Sequence, residues 1–286
     1  MIGAADAFAV EPCLSLVVKN WTVAHPAWPE SAGPLRIGIL TDIHAVEPWM
    51  DAPRIAGIVE RLNAEKPDVI VLLGDYVNAL RARYTTAKVP VAEWAAPLRS
   101  LHAPLGVYAV LGNHDWWSGE VPAIRNAFGK AGIALLDNDA VQVTRGGSHF
   151  WLAGLADQLT LHSRGAGDLK TTLDQVSDHA PVILLAHEPD IFAHVPSRVM
   201  LTLSGHTHGG QVYIPFIGRP SLFAGYSGRY TKYAYGHFTE KGKQLVVSSG
   251  LGLSDLPVRF LVPPEVVIVT LRATRAPQLS PSAAVG

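Results

Sequence analysis

Five short apolar runs, each followed at once by a polar cluster, constrain the fold of this chain more than any other feature. The runs are LRIGIL (35–40), DVIVLL (68–73), GVYAVL (106–111), PVILLA (181–186) and VMLTLS (199–204). They are rich in aliphatic and β-branched residues and bounded by turn residues, which is typical of buried strands rather than of helices. The sequence therefore predicts a mixed sheet of interior strands.

Helical patterns separate the first three runs. The stretch PRIAGIVERLNAE places four apolar side chains on one stripe: Ile55, Ile58, Val59 and Leu62. VAEWAAPLRSL and VPAIRNAFGKAG are shorter, and the second ends at Gly132. Strand–helix–strand succession favours right-handed parallel crossovers, so the predicted class is α/β. Further along, AVQVTRGGSHFWLAGL predicts a hairpin, and KQLVVSSG and PEVVIVTLR predict two closing strands.

Composition limits the classes of function. A hydrophobic fraction of 48% over 286 residues is enough for a sizeable core. The net charge of −1 provides no basic field for a nucleic-acid backbone, so no nucleic-acid binding is expected. The single cysteine, Cys13, excludes a disulfide within the chain and a thiolate-rich metal site. Twelve histidines favour imidazole chemistry.

The chain gives no sign of a membrane span or a secretory signal. No apolar run reaches the roughly 18 residues that a span needs, and the opening MIGAADAFAVEP lacks a basic start and a cleavage site. We therefore expect a protein that is cytoplasmic or peripheral to the inner membrane. The expected division is an N-terminal extension with a first strand (1–34), one domain (35–272) and a disordered tail (273–286).

The polar clusters after the five runs hold side chains that bind metals. They contain Asp42 and His44 (TDIH), Asp75 (GDYVN), Asn113, His114 and Asp115 (GNHDWW), His187 (HEP), and His206 and His208 (GHTH). Each cluster alone is an ordinary strand-end turn. Carboxyl ends of strands in open α/β sheets meet in one crevice, however, so the five together predict a common site. With His114 and Asp115 set aside, these clusters supply two carboxylates, four imidazoles and one amide, without a thiolate, which suits a pair of divalent metal ions.

In residue type and in order, these clusters resemble the five signature blocks of the calcineurin-like metallophosphoesterases. The blocks extend over residues 42 to 208, most of the predicted domain. The resemblance implies a four-layer αββα sandwich with a dinuclear metal site at the C-terminal ends of the strands. It implies one metal held by Asp42, His44, Asp75 and His208, and another held by Asp75, Asn113, His187 and His206. Asp75 would then bridge the two ions.

The implied activity is metal-dependent hydrolysis of a phosphoester by a hydroxide that bridges the metals. Such ligands accept Mn, Fe, Zn or Co, with Mn or Zn favoured. His114 stands beside a ligand without being needed as one, so it is the candidate proton donor at the leaving oxygen. Two interpretations of Asp115 remain open. It either orients the His114 imidazole and raises its pKa, or it serves as a helix N-cap or turn residue.

The stretches GHTHGGQVYIPFIG and GLGLSDLPVRFLVPPEVVIVTL, together with FAVEP, are similar to a bacterial membrane-associated branch of this family. Some members of the branch resemble UDP-2,3-diacylglucosamine pyrophosphatases, which implies a phosphodiester, phosphomonoester or pyrophosphate substrate that is lipid-linked or a nucleotide-lipid. Four apolar residues on the metal-site loops either form a rim for an acyl chain or pack over the sheet: Trp49, Met50, Trp116 and Trp117.

Three cations and two rival functions complete the predictions. Arg219, Arg229 and Lys232 either meet a substrate phosphate or lie on the solvated surface. One rival is a non-catalytic binding module of the same fold, which would be expected to have lost ligands or His114. The other is a phosphodiesterase that acts on soluble nucleotides.

Overall fold

The computed structural model describes residues 7, 11–80, 82–159, 166–219 and 232–274 of the chain. The helices are α1 (Glu11–Leu14), α2 (Ala52–Ala64), α3 (Val91–Trp94), α4 (Asn113–Trp117), α5 (Val121–Ala131) and α6 (Ala166–Leu173). The strands are β1 (Val17–His25), β2 (Leu35–Leu40), β3 (Val46–Glu47), β4 (Val69–Leu72), β5 (Ala79–Leu80), β6 (Ala87–Lys88), β7 (Val107–Ala109), β8 (Ala134–Leu135), β9 (Asp139–Arg145), β10 (Ser148–Gly154), β11 (Val182–Leu185), β12 (Val199–Ser204), β13 (Gly236–Glu240), β14 (Lys243–Val247), β15 (Ser254–Asp255) and β16 (Glu265–Ala273). Short 3₁₀ turns cover Glu30–Ala32, Ala82–Tyr84, Pro97–Ser100, Pro189–Ala193 and His208–Gly210.

Two six-stranded sheets form the centre of the protein. The first has the order β1-β16-β2-β4-β7-β8, and the second has the order β13-β14-β12-β11-β10-β9. In the first sheet β16 runs antiparallel to β2, and the remaining pairs are parallel. In the second sheet the two outer pairs are antiparallel, and the strands between them are parallel. β1 pairs with β16 along its whole length, so residues before position 35 contribute to this sheet.

The layers follow from the two-residue period of the strands. On β4, Val69 and Val71 face the second sheet, whereas Ile70 and Leu72 face the helices. One apolar core lies between the sheets. A second core lies between the first sheet and α2, α3 and α5, and a third covers the outer face of the second sheet with α6 and the turn at Pro189–Ala193. The order is helices, sheet, sheet, helix, which confirms the predicted four-layer αββα sandwich.

The helices and the hairpin agree with the sequence patterns, with one exception. α2 buries its predicted stripe, and α5 ends at Gly132, whose left-handed φ of 70° closes the helix. β9 and β10 form the predicted hairpin. The stretch VAEWAAPLRSL is not one helix: α3 ends at Trp94, and a 3₁₀ turn follows over Pro97–Ser100. Pro97 explains the break, because proline lacks an amide hydrogen and disfavours a helical residue before it.

Among the described residues, no helix combines the length and the apolar character that a membrane crossing requires. The expected tail falls almost wholly outside the described residues, since only Ala273 and Thr274 of it are described, and Ala273 ends β16.

Candidate metal centre

The candidate ligands come from both sheets and lie just beyond the ends of β2, β4, β7, β11 and β12. Backbone pairing continues past these ends and fixes the loops to one another. Asp42 N donates to Gly74 O (2.9 Å), His44 N donates to Asp75 O (3.0 Å), and Gly205 N donates to His187 O (3.1 Å). The loops that carry the ligands are therefore extensions of the sheets.

Most of these ligands are held in an uncommon backbone conformation. Five of the seven candidate ligand residues have a positive φ, between 47° and 69°: Asp42, His44, Asp75, His206 and His208. The left-handed region is sparsely populated by residues other than glycine, and such strain concentrates at functional sites. The surrounding hydrogen bonds must offset this cost, which indicates that the directions of these side chains matter.

The first cluster consists of Asp42, His44 and His208, all buried. His44 Nε2 lies 3.0 Å from His208 Nε2, and His208 Nε2 lies 3.5 Å from Asp42 Oδ1. The Asp42 carboxylate is fixed from behind by Thr41 Oγ1, which donates to Oδ2 (2.8 Å), and by the His206 amide. Three donor atoms thus converge on a space that one cation would fill.

The second cluster consists of Asp75, His187 and His206, with Asn113 beside them. His187 Nε2 lies 3.1 Å from Asp75 Oδ2, and His206 Nδ1 lies 3.1 Å from Asn113 Oδ1. Two imidazoles, a carboxylate and an amide oxygen form a donor set that borderline-hard divalent metals accept.

Asp75 lies between the two clusters. Its Oδ2 is 3.1 Å from His187 Nε2 in the second cluster and 3.6 Å from His44 Nε2 in the first. Its Oδ1 accepts the His114 amide at 2.9 Å, which fixes the plane of the carboxylate. One carboxylate oxygen is therefore within reach of both candidate metal positions.

Outer hydrogen bonds orient two of the imidazoles. His44 Nδ1 lies 2.8 Å from Val77 O, and His187 Nδ1 lies 2.6 Å from Leu73 O. A carbonyl can only accept, so Nδ1 must carry the proton in each ring. Nε2 is then the ring atom that faces the cluster in both histidines, and this is the usual orientation of metal-binding histidines.

Burial sets the charge states of the site. It lowers the pKa of His44 and of His206 to about 3, and that of His208 well below its usual value, so these imidazoles are neutral at pH 7. Burial also raises the pKa of Asp42 to about 6. For His187, burial acts to lower the pKa, but the neighbouring Asp75 carboxylate raises it well above its usual value. Neutral imidazoles bind cations, so His44, His206 and His208 are already in a binding state. His187, which pairs with the Asp75 carboxylate, would release its second ring proton when a metal binds.

Two glycines permit the close approach of the loops. A Cβ at Gly112 would collide with Asp75 Oδ1, and a Cβ at Gly205 would collide with Thr41 Oγ1 and Asp42 Oδ2. Any larger residue at either position would displace a carboxylate of the site. The glycines of GNHD and GHTH are therefore needed at these positions because a side chain would not fit beside the carboxylates.

The carboxylate of Asp115 contacts backbone amides, which favours the second of its two interpretations, a helix N-cap or turn residue. It is fully buried, and its Oδ2 accepts the amides of Asp75 (2.8 Å) and Gly112 (2.9 Å). Its Oδ1 accepts the amides of Tyr76 (2.8 Å) and Val77 (3.3 Å). Burial raises the pKa of this carboxyl group to about 7. Asp115 therefore caps the start of α4 and fixes the loop that carries Asp75.

We expect Asp115→Asn to lower the free energy of unfolding by about 2–4 kcal/mol, because its amino group would face backbone amides that need an acceptor. Metal affinity should fall about 10–100-fold, the usual effect of losing support behind a ligand. Denaturant unfolding and metal titration measure the two effects. Asp51→Asn is the matched control, since Asp51 caps α2 through Arg54 N and asparagine caps equally well.

A different outcome would restore the first interpretation of Asp115. Unchanged stability and metal affinity, with turnover lost only for esters of poor leaving groups, would mean that Asp115 acts through the His114 imidazole.

His114 lies at the border of the site with its ring half-buried. Its ring meets the His44 ring edge-on at a centroid distance of 5.2 Å and the Trp117 ring at 5.1 Å. The imidazole is thus adjacent to the first cluster without belonging to either group of candidate ligands.

The four apolar residues near the site differ in their exposure to solvent. Trp117 is 50% exposed. Met50 is only 1% exposed and belongs to the core under the helices, so of its two interpretations inward packing applies. Trp116 is partly buried against the same core, and Trp49 is fixed by a hydrogen bond from Nε1 to Tyr84 O (2.8 Å). Of the four, Trp117 is the residue that reaches the surface beside His114.

Two of the three cations have partners within the protein. The guanidinium of Arg219 donates to Gly209 O and lies 4.6 Å from the centre of the Tyr235 ring, so it braces the turn after His208. Lys232 pairs with Glu240 on the surface. Arg229 lies outside the described residues.

Arg259 is a residue that the sequence analysis missed. Its guanidinium is fully buried and donates to the carbonyls of Ser249 (2.8 Å), Gly252 (2.7 Å) and Val262 (3.0 Å). Nη2 lies 3.4 Å from His208 Nδ1. The signal in the sequence was a single charged residue within the apolar stretch LPVRFLVPP. Arg259 fixes the loop behind His208.

The chain is similar to known metallophosphoesterases. The family model described as calcineurin-like phosphoesterase matches residues 35–210. An uncharacterized metallophosphoesterase of Bacillus subtilis, YkuE, is 34% identical over 220 residues, which cover 76% of this chain and 72% of that protein. An uncharacterized metallophosphoesterase of Aquifex aeolicus is 31% identical, and the match covers 90% of this chain and 92% of the relative.

Other similar proteins are longer or more distant. A transmembrane protein with a metallophosphoesterase domain from Danio rerio is 30% identical, and the match covers 85% of this chain but 54% of that protein. Among solved structures, a dimetal phosphatase from Danio rerio has 14% identity and a TM-score of 0.41, with coverage of 78% of this chain and 89% of the other. On the family model and the relatives that match along most of their length, the chain belongs to the calcineurin-like phosphoesterase family.

Proposed function

We propose that the protein is a dinuclear metal-dependent phosphoester hydrolase. Asp42, His44 and His208 would hold one divalent ion, and Asn113, His187 and His206 would hold the other, with Asp75 shared between them. Manganese or zinc is favoured, and iron or cobalt would also suit these ligands. When bound, such an ion pair lowers the pKa of water and neutralises phosphoryl oxygens.

One observation carries this proposal. Asp75 Oδ2 lies 3.1 Å from a nitrogen of one cluster and 3.6 Å from a nitrogen of the other. A carboxylate in this position needs positive charge on both sides, because its burial away from water is otherwise costly. A single-metal site would explain one cluster and leave the other without a purpose. The left-handed backbone of residues in both clusters supports the same reading.

The residues around the clusters have separate tasks in the proposed reaction. His114 protonates the leaving-group oxygen, because its ring stands beside the first cluster at the protein surface. Asp115 keeps the Asp75 loop in place through backbone amides. Arg259 and Arg219 fix the loops that follow Ser249 and His208. Neither arginine is assigned to the substrate.

The test uses the purified full chain. After removal of metals with a chelator, we expect no turnover of p-nitrophenyl phosphate or bis-p-nitrophenyl phosphate. Activity should return with Mn²⁺, Zn²⁺, Fe²⁺ or Co²⁺, and titration should reach two ions per chain. Lack of metal-dependent turnover with both esters would overturn the proposal and favour the non-catalytic binding module. If both esters are hydrolysed, the ratio of the two rates distinguishes a phosphomonoesterase from a phosphodiesterase.

For the substrate, we propose a phosphoester or pyrophosphate that also carries an apolar or aromatic group, which binds beside the metal centre and away from the reacting phosphorus. Trp117 supports this choice, because it is half exposed and its ring contacts the His114 ring. A lipid-linked phosphoester or a nucleotide-lipid, such as UDP-diacylglucosamine, would meet this requirement. A soluble nucleotide phosphodiester is the alternative, in which the base would contact the same indole.

We expect an acylated substrate to have a lower KM than its deacylated analogue at similar kcat, since contact away from phosphorus is uniform binding. Trp117→Ala should remove this difference and leave the hydrolysis of small esters intact. Trp117→Phe is the matched control, because it keeps an apolar ring. Equal KM values for both substrates in the unsubstituted protein would contradict the acylated class and favour the soluble nucleotide.

A further inference from the structure

The segment that follows the candidate ligand His208 ends in an exposed apolar turn. Tyr213, Pro215, Phe216 and Ile217 are all exposed, and among them Phe216 is fully exposed and Ile217 is 77% exposed. Ile214 N donates to Gly218 O (2.8 Å), and the amides of Ile217 and Gly218 donate back to Ile214 O. These bonds close a tight hairpin with the two largest apolar groups at its tip.

Phe216 occupies a conformation that does not favour it. Its φ is 70°, in the left-handed region where glycine or asparagine is common and a bulky side chain is an outlier. The ring is fully exposed, so packing within the protein offers no compensation for this strain. An aromatic group kept at this position against both backbone preference and water points to a ligand that covers it.

Two neighbouring segments extend the apolar surface. Tyr213 N donates to Phe260 O (2.9 Å), which places Leu261 (48% exposed) beside the turn. Leu261 N donates to Glu11 Oε2 (2.7 Å), which fixes the start of α1 beside Leu261, and the same short helix ends at Leu14 (80% exposed). We call these residues the apolar tip, defined as Leu14, Tyr213, Pro215, Phe216, Ile217 and Leu261.

The charges around the apolar tip suit a lipid surface. No charged residue occurs from Val212 to Gly218 or from Phe260 to Pro264 in the sequence. Glu11 of α1 is buried, and its carboxylate accepts the amides of Leu261 and Val262. The first charge after the turn, Arg219, lies 5.6 Å from the centre of the Tyr213 ring, at the base of the hairpin. Apolar side chains at the end, a tyrosine below them and a cation at the base follow the order of acyl chains, interface and phosphate headgroups.

The size and shape of the apolar tip disfavour a second protein. Phe216, Ile217 and Leu14 are the large side chains of the tip that are more than half exposed. Even if each of the three presented the roughly 250 Å² of a large aromatic group, together they would present at most about 750 Å², below the roughly 800 Å² per partner in a stable protein interface. A projecting turn gives a rigid partner little to enclose, whereas lipid chains deform around it.

We propose that the apolar tip inserts into the surface of a phospholipid bilayer and binds the protein to it peripherally. The insertion concerns binding alone and does not require that the protein hydrolyse a phosphoester. Because the hairpin continues directly from the candidate ligands His206 and His208, bound protein would carry its metal centre close to the headgroups.

The test is co-sedimentation of the full chain with vesicles of phosphatidylcholine and phosphatidylglycerol in a ratio of about 7:3, without substrate. We expect the unsubstituted protein to sediment with them, and the double variant Phe216→Ser/Ile217→Ser to bind at least about 10-fold more weakly. Phe216→Trp should bind at least as well as the unsubstituted protein, because tryptophan favours the interface. Leu159→Ser is the matched control, since Leu159 is 39% exposed and outside the apolar tip.

Metal content and thermal unfolding establish that the double variant is folded, which is expected because both side chains point into solvent. Absence of vesicle binding by the unsubstituted protein would overturn the proposal, as would equal binding by the double variant. Concentration-dependent dimerisation that the double variant abolishes, measured by light scattering without vesicles, would overturn it in favour of a second copy of the chain.

Discussion

Asp75→Asn is expected to reduce the metal content of the purified protein from two ions to less than one per chain. Asp75 Oδ2 is within 3.6 Å of nitrogens from both clusters, so the substitution removes a negative charge that both ions would share. An amide is neutral and a poor bridging ligand, and two dications without it repel each other. Hydrolysis of phosphoesters should fall by about 10³-fold or more, because a metal ion supplies several kcal/mol of transition-state stabilisation.

Elemental analysis after gel filtration measures the loss, and the design separates it from misfolding. Asparagine keeps Oδ1, so it can still accept the His114 amide that Asp75 accepts at 2.9 Å. The matched control is Asp174→Asn. Asp174 directly follows α6 and forms a surface ion pair with Lys170 of that helix, so removal of its charge should have little effect. Two tightly held ions in the Asp75 variant would mean that the metals do not share this carboxylate.

The fold was predictable because its signals are local. The buried strands β2 and β12 coincide with the apolar runs LRIGIL and VMLTLS, and α2 shows a helical stripe. The carboxyl ends of such strands meet at one edge of the sheets, so polar residues that directly follow the strands could be predicted to form one site. The grouping of Asp42 with His208, 166 residues apart, came from the family resemblance and not from any local pattern.

The supporting residues were not predictable, because their roles depend on packing between distant segments. The sequence placed Asp115 beside His114, but the fold turns its carboxylate toward the amides of Asp75 and Tyr76 instead. Met50 follows Trp49 on the same loop and yet enters the core. Arg259 is 51 residues from His208 in sequence, and only the closing loop brings them together. Local periodicity carries no information about such contacts.

The second prediction with a large expected effect concerns His114, which lies beside the candidate ligands but is proposed as a proton donor. His114→Ala is expected to retain both metals and to bind phosphate, while turnover of alkyl phosphoesters falls by about 10²–10⁴-fold. The imidazole lies beside His44 and Trp117, and its own backbone amide, which the substitution preserves, holds Asp75. The variant therefore removes a proton donor without disturbing the ligand geometry.

The dependence on the leaving group tests this role more sharply than the rate alone. An alkoxide must be protonated as it departs, whereas p-nitrophenolate leaves without a proton, so the loss in the His114→Ala variant should shrink for p-nitrophenyl esters. A plot of rate against leaving-group pKa should be steeper for the variant than for the unsubstituted protein. His102→Ala, at an exposed histidine before β7, is the control and should follow the original slope. Loss of metal from the His114 variant would instead make the imidazole a ligand. An equal loss of rate with every ester would instead assign the His114 imidazole to binding of the phosphoryl group. Either result would mean that His114 is not the proton donor to the leaving oxygen.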